Sequence, residues 1–244
     1  LSGFTIFTVE DATAEEALSI IKNAVLNMHT QESDLTLSKV EDGLKTLLGN
    51  RSLCIGIMPF LKVNDQVIMD EEIKSGHILI NTLDVCPNHI NYKDSAKFFE
   101  EKQEPLFVPV VDDNVVAQHP YLHTLIDKKI LSYVAIPIFN NGKPLGVLEI
   151  GAPQSGFLTT EIIHLLKQAT PIIKELFFYL VERFKARMDK FIKKKFTSLQ
   201  PAVEWKFNEV AWEYLKNKST AETPIPDIVF DNVYPLYGAI DIRN

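Results

Sequence analysis

The 244-residue chain carries 32 acidic against 25 basic side chains, a net charge of −7, and is 46% hydrophobic. That acidic balance argues against nucleic acid as the main partner. A chain of this length buries enough surface to need no metal or disulfide staple. Its two cysteines suit a reducing, cytoplasmic setting rather than a disulfide scaffold. No apolar run approaches the roughly 18–20 residues of a membrane span, and no signal-peptide pattern opens the chain. A start at Leu1 and an end at Asn244 read as trimmed termini or a fragment.

In chain order, residues 8–29 predict a helix: Glu15 and Glu16 stand in the first turn, and Ala17, Ile20, Ile21, Ala24, Val25 and Met28 form an apolar stripe. Residues 37–48 predict a second helix, ended by Gly49-Asn50 in a left-handed cap. Residues 52–61 read as a buried strand, so that Cys54 is expected inside. The turn at Val63-Asn64-Asp65-Gln66 leads to a returning strand at 67–69. Residues 77–83 fit strand or helix equally well.

A short helix is expected over 95–102, stopping before Pro105, and a strand over 106–111 (LFVPVV) that ends in the turn cluster Asp112-Asp113-Asn114. A connecting segment follows, with a helix around 121–127. Two apolar strands, YVAIPIF (133–139) and LGVLEI (145–150), are joined through Asn141-Gly142, whose residue types supply the positive φ of a tight hairpin. Thr159-Thr160-Glu161 caps a long helix with apolar residues at three- and four-residue spacing, in which Pro171 predicts a kink near Lys167. Another helix is expected over 196–218, with Trp205, Val210, Ala211 and Tyr214. The aromatic, Pro-containing stretch 219–244 reads as an extended segment without an assigned role.

Residues 37–183 resemble a GAF domain. The likeness rests on SAKFFEEKQEPLFVPVVDD (95–113), on the strand–Pro–hairpin–Gly–strand core of residues 129–151, and on FLTTE (157–161) opening an apolar helix. The resemblance implies an α/β (α+β) fold: a GAF/PAS-like, six-stranded, mostly antiparallel sheet. Helices would pack on one face, and loops and short helices would cover a ligand pocket on the other. Residues 1–36 would form an N-terminal helical segment, 37–183 the sensor domain, and 184–244 a helical extension with a Pro/aromatic-rich tail. The Asn-Lys-Phe-Asp-Glu signature of cyclic-nucleotide-binding members is not matched; Lys93, Phe98, Glu100 and Glu101 echo it only loosely. Nothing around Cys86 matches a bilin-attachment motif.

The candidate ligand-binding residues are Asp112, Asp113, His119, Tyr121 and Tyr133, because strand ends line the pocket mouth in this fold. The competing reading is that the Asp pair simply caps a turn. Cys86, His89, His119 and His123 are metal-ligand types, but their spacing matches no template and Pro120 interrupts a helical pairing, so no metal site is assigned. No catalytic residue is assigned either. Enzymes of this fold that reduce free methionine sulfoxide use several cysteines, and a buried Cys54 would resolve a Cys86 thiolate poorly. Lys190, Lys193, Lys194 and Lys195 read as the last turn of the long helix, where cations suit the macrodipole. Phe184, Met188, Phe191 and Ile192 lie beyond the expected domain end and need a partner, either the Trp205 helix or a second subunit.

Three functions follow. The first is a non-catalytic cytoplasmic sensor that binds an unidentified small molecule and relays it through the terminal helix of a homodimer. The second is an interaction or dimerisation module with a filled pocket. The third is a small redox or metal enzyme using Cys86 and the histidines. No cofactor is named.

Overall fold

The computed structural model describes residues 12–29, 33–68, 92–195 and 203–216, with residues 70, 78, 79 and 228 between and beyond them. Four strands, β1 (Cys54–Pro59), β4 (Leu106–Val108), β5 (Ser132–Asn140) and β6 (Lys143–Ala152), form one antiparallel sheet in the order β1-β6-β5-β4. Two more, β2 (Leu61–Val63) and β3 (Gln66–Ile68), form a separate antiparallel hairpin. The six strands among the described residues are thus divided four and two.

The central hairpin β5–β6 closes as its residues require. Asn140 pairs with Lys143, and the two turn residues, Asn141 at φ 49° and Gly142 at φ 77°, take the left-handed conformation of a type I′ turn. A bulge follows at Ile138/Phe139, and the carbonyl of Leu145 there accepts the N–H of Phe60 at 2.7 Å. Asn64 and Asp65, at φ 49° and 62°, make the equivalent turn between β2 and β3.

The helical face is built by α1 (Thr13–Leu26), α2 (Ser33–Leu47) and α6 (Thr160–Lys195). Helix α2 begins four residues before the expected start and ends as expected. Gly49 at φ 66° takes the left-handed conformation while its N–H reaches the carbonyl of Thr46 and that of Asn50 reaches Lys45, a Schellman cap. Helix α6 approaches the sheet closely at Gly146: a Cβ there would collide with the Phe177 ring and the Met58 carbonyl. The hydroxyl of Tyr179 donates to the carbonyl of Met28 at 2.8 Å, and its ring meets His29 edge-on, tying α6 to the end of α1. Pro171 is accommodated within α6.

Three expectations change. The strand at 106–111 stops at Val108, because Pro109 has no N–H to continue the ladder. The Asp112-Asp113-Asn114 cluster opens a short helix, α4 (Asp113–Gln118), rather than a bare turn. Cys54 is exposed rather than buried, because it is the first residue of β1 and burial begins at Ile55. Helix α3 (Tyr92–Lys102) ends at Gln103 in the left-handed conformation, φ 53°, before Pro105. The segment after α4 contains a 3-10 turn (Pro120–Leu122) and α5 (His123–Asp127).

The chain divides into two compact units, Leu1–Lys185 and Ala186–Asn244. The described part of the second comprises the end of α6 and α7 (Glu204–Lys216). Its core holds Met188, Phe191, Ile192, Val210 and Ala211, with the Phe191 and Tyr214 rings stacked at 4.7 Å. The partner that Phe191 needs is therefore the Trp205 helix of the same chain. The expected tail, 219–244, lies outside the described residues apart from residue 228.

Candidate functional site

Strand register fixes what each sheet face presents. Opposite Ala135 stands Glu149, and opposite Glu149 on the other side stands Gly56; Tyr133 pairs with Gly151, and Met58 with Val147. Side chains alternate along a strand, so Met58, Tyr133, Ala135, Val147 and Glu149 share the face turned away from α6. On that face an apolar cluster gathers Met58, Phe60, Leu79, Phe99, Leu122 and Leu125 around Tyr133. The outward helical face instead carries Leu148, Ile150 and Gly146, the last under Phe177.

At the centre of this apolar surround sits a carboxylate. Glu149 is fully buried, at 0% exposure. One oxygen, Oε1, accepts from the Tyr133 hydroxyl at 2.6 Å and from the N–H of Leu79 at 2.9 Å. The other, Oε2, accepts from the N–H of Ile78 at 3.0 Å. Lys128, in the turn after α5, donates its ammonium to the carbonyl of Ile78 at 2.6 Å. The backbone of Ile78–Leu79 is thus held from two sides, its N–H groups by an acid and its carbonyl by a base.

Burial pushes the Glu149 carboxyl above its ordinary value. The Tyr133 hydroxyl, the N–H groups of Leu79 and Ile78, and the charge of Lys128 pull in the opposite direction, because each favours the anion. Both oxygens act as acceptors here. The Tyr133 hydroxyl can donate to the anion or accept from the neutral acid, so the same arrangement accommodates both forms. A buried anion held mainly by neutral donors is a strong attractor for any ligand that brings positive charge.

The residues singled out from the sequence fall into two groups. Asp112 is exposed and accepts the N–H of Val115 at 2.8 Å, as the N-cap of α4. Asp113 is exposed in the first turn of the same helix, and His119 is exposed at its end. Tyr121 stands in the 3-10 turn that follows, and its side chain lies outside the described residues. Tyr133, by contrast, is buried at the centre of the face, bound to Glu149. His123 faces Asp127 at 3.2 Å on the exposed side of α5. Cys86 and His89 lie outside the described residues, and among those described no group of three or more His, Cys, Asp or Glu side chains is arranged to hold a metal.

Glu149 and Lys128 were not among the expected site residues. The signal for Glu149 is visible in hindsight: it is the single charge inside LGVLEI, a strand whose other side chains are apolar. A carboxylate in such a strand must find donors, and only the fold reveals which.

Residues 82–172 match the family model of the GAF domain. No curated protein matches the sequence. Among solved structures, the chain is similar to a free methionine-R-sulfoxide reductase from Neisseria meningitidis in complex with its substrate, at 18% identity and a TM-score of 0.46, covering 70% of this chain and 93% of that one. The GAF domain of an Acinetobacter phosphoenolpyruvate-protein phosphotransferase is similar at 11% identity and a TM-score of 0.44, over 70% of this chain and 95% of that one. The chromophore-binding domain of a bacteriophytochrome from R. palustris gives 13% identity and 0.41, over 72% of this chain and 64% of that one. Residues 82–172 thus carry the GAF-domain match, and the described residues around them have a mixed α/β fold with an antiparallel sheet.

Proposed function

We propose that this GAF domain is a non-catalytic sensory module that binds a small molecule against the sheet face holding Tyr133 and Glu149, and relays occupancy to α6. The observation that carries this reading is the double use of β6. Its Glu149 faces the buried polar centre, while Gly146, Leu148 and Ile150 face the helical side, where Phe177 of α6 lies on Gly146. Two residues of one strand, Val147 and Leu148, therefore separate a ligand-facing carboxylate from the helix contact at Gly146. A ligand that alters how Glu149 is held moves β6, and a packed interface transmits small shifts as discrete rearrangements. The shift is bounded by the ligand's differential affinity for the two arrangements.

In this reading Asp112, Asp113, His119 and Tyr121 form the rim over Tyr133, a homodimer is the working state, and the setting is cytoplasmic. Among the described residues no helix is long and apolar enough to cross a membrane. Residues 1–36, 37–183 and 184–244 serve as input segment, sensor and output extension.

A second reading rests on the apolar cluster around Tyr133, in which Phe99, Leu122, Leu125 and Ile130 are buried. A face filled in this way suits an interaction or dimerisation module. The deciding experiment is a thermal-shift screen of the full chain against a metabolite library, followed by hydrogen exchange on any hit. The sensor reading expects a ligand that changes exchange both at Leu79 and in α6 around Phe177. Exchange changes confined to the sheet face would remove the relay, and a screen without hits would leave the interaction module. A Cys86→Ser variant that keeps its ligand response excludes a redox role for that thiol.

A further inference from the structure

The tip of the central hairpin is a reactive pair of residues as well as a tight turn. Asn141 is the single asparagine of the chain that is followed by glycine. Both residues are exposed, and a Cβ placed on Gly142 would meet nothing within 4 Å, so the turn stands in open solvent. Asn141 at φ 49° and Gly142 at φ 77° lie between Asn140 and Lys143, which close the ladder across them. A two-residue turn leaves the N–H of its second residue outside that ladder, so no cross-strand bond holds the Gly142 nitrogen. Outside the bulge at Ile138/Phe139 two pairs remain, Asn140 with Lys143 and Phe139 with Pro144, and Pro144 has no N–H to give. The tip is thus a thinly held end, of the kind that opens at little cost while the rest of a sheet stays closed.

We propose that Asn141-Gly142 is a site of spontaneous modification, where asparagine is converted through a cyclic imide to aspartate and isoaspartate, and that the isoaspartate opens the tip while sparing the sheet. When the tip opens, the Gly142 nitrogen attacks Cγ of Asn141. A bond forms between them, the bond from Cγ to Nδ2 breaks, and Nδ2 leaves as ammonia with the proton that Gly142 gives up. Water, the one co-reactant, then opens the ring. Addition at Cγ breaks the new bond and leaves aspartate. Addition at the Asn141 main-chain carbonyl breaks the original peptide bond instead, and the chain then runs through Cβ and Cγ as isoaspartate. The missing side chain at Gly142 is what lets the nitrogen approach. The other asparagines precede bulkier residues; Asn23, before Ala24, lies inside α1, where the backbone is tied into the helix. The two products differ in their effect. Aspartate adds a charge but keeps the turn, because Asp-Gly suits it as Asn-Gly does. Isoaspartate adds a methylene to a two-residue turn, so the Asn140–Lys143 pair no longer closes. From Ile138 and Gly146 inward the ladder has pairs of its own, and the bulge confines the loss to the tip.

The test is incubation of the full chain at mildly alkaline pH, with peptide mapping by mass spectrometry at intervals. The peptide holding Asn141 gains the mass difference between an amide and an acid, separates into two products, and does so before any other asparagine of the chain. Unfolding the chain in urea speeds this by about tenfold at most, as for a tip whose opening costs little. Hydrogen exchange on the aged protein shows lost protection at the tip, at Asn140 and Lys143, and retained protection from Ile138 inward along β5. Freshly made Asn141→Asp carries the charge without the added methylene and keeps the protection of the tip. Another asparagine reacting first, an Asn141 that reacts only in urea, an aged chain that keeps its tip, or an equal loss in Asn141→Asp each overturns the inference.

Discussion

Glu149 concentrates the electrostatics of this protein in one side chain. Its folded carboxyl titrates above its ordinary value of 4.5, chiefly through desolvation. For an acid raised in this way, the stabilising contribution is full below the unfolded value and is lost as pH rises through the folded one. The stability of the wild type relative to Glu149→Gln therefore increases as pH falls from neutrality towards 4.5, and paired thermal melts across that range measure it. Tyr133→Phe removes one of three donors to a buried anion. It lowers stability by about 2 kcal/mol, the range for a hydrogen bond to a charged group, as read by chemical denaturation. An unchanged denaturation midpoint in this variant would show that the hydroxyl is replaceable by water. Asp112 belongs to the opposite class. Its oxygen caps α4 at the surface, and Asp112→Ala costs about 1 kcal/mol through the lost cap.

Among the elements, the β5–β6 hairpin was the most legible in the sequence. Asn141-Gly142 between two apolar runs leaves few alternatives, and the turn has the expected left-handed residues. The long helix and its Thr159-Thr160 start were equally plain. What escaped was governed by tertiary context. The strand after Pro105 was cut short by one proline, whose missing donor matters only where a ladder would continue. The four residues added to the start of α2 carry no apolar stripe of their own, and Cys54 lies where a strand emerges rather than where it is covered. The polar centre was half visible: Tyr133 was singled out, whereas Glu149 and Lys128 come from separate elements that only folding brings to Ile78. The packing of α6 on the sheet gives an element-scale prediction. Gly146→Ala places a methyl against the Phe177 ring and the Met58 carbonyl, so the helix or β6 must move. Overpacking of this kind costs about 1–3 kcal/mol. In Gly146→Ala, exchange protection falls in both β6 and α6, whereas a change confined to β6 would mean that the two are not coupled.

For the whole molecule, the division at Lys185/Ala186 makes stability a property of two units rather than one. The second unit is small, and Phe191, stacked on Tyr214, is a large part of its core. Phe191→Ala removes about 3 kcal/mol from that unit, by the usual cost of emptying an aromatic site. Exchange protection then falls in α7 while the sheet of the first unit keeps its protection. Loss of protection throughout would show instead that the two units unfold as one.

The pairing of β1 with β6 joins Cys54–Pro59 to a strand about ninety positions later, whereas β5 and β6 meet across two residues. Closing so long a loop is slow compared with forming a tight hairpin. During synthesis β1 emerges first yet waits for its partner, and through that interval β6 shows an open, apolar edge once it has paired with β5. Such an edge invites the wrong neighbour. The segment that carries the family likeness, residues 82–172, holds β6 but not β1. Expressed alone it would keep that edge permanently bare, and its tendency to self-associate should disappear when residues 54–59 are restored.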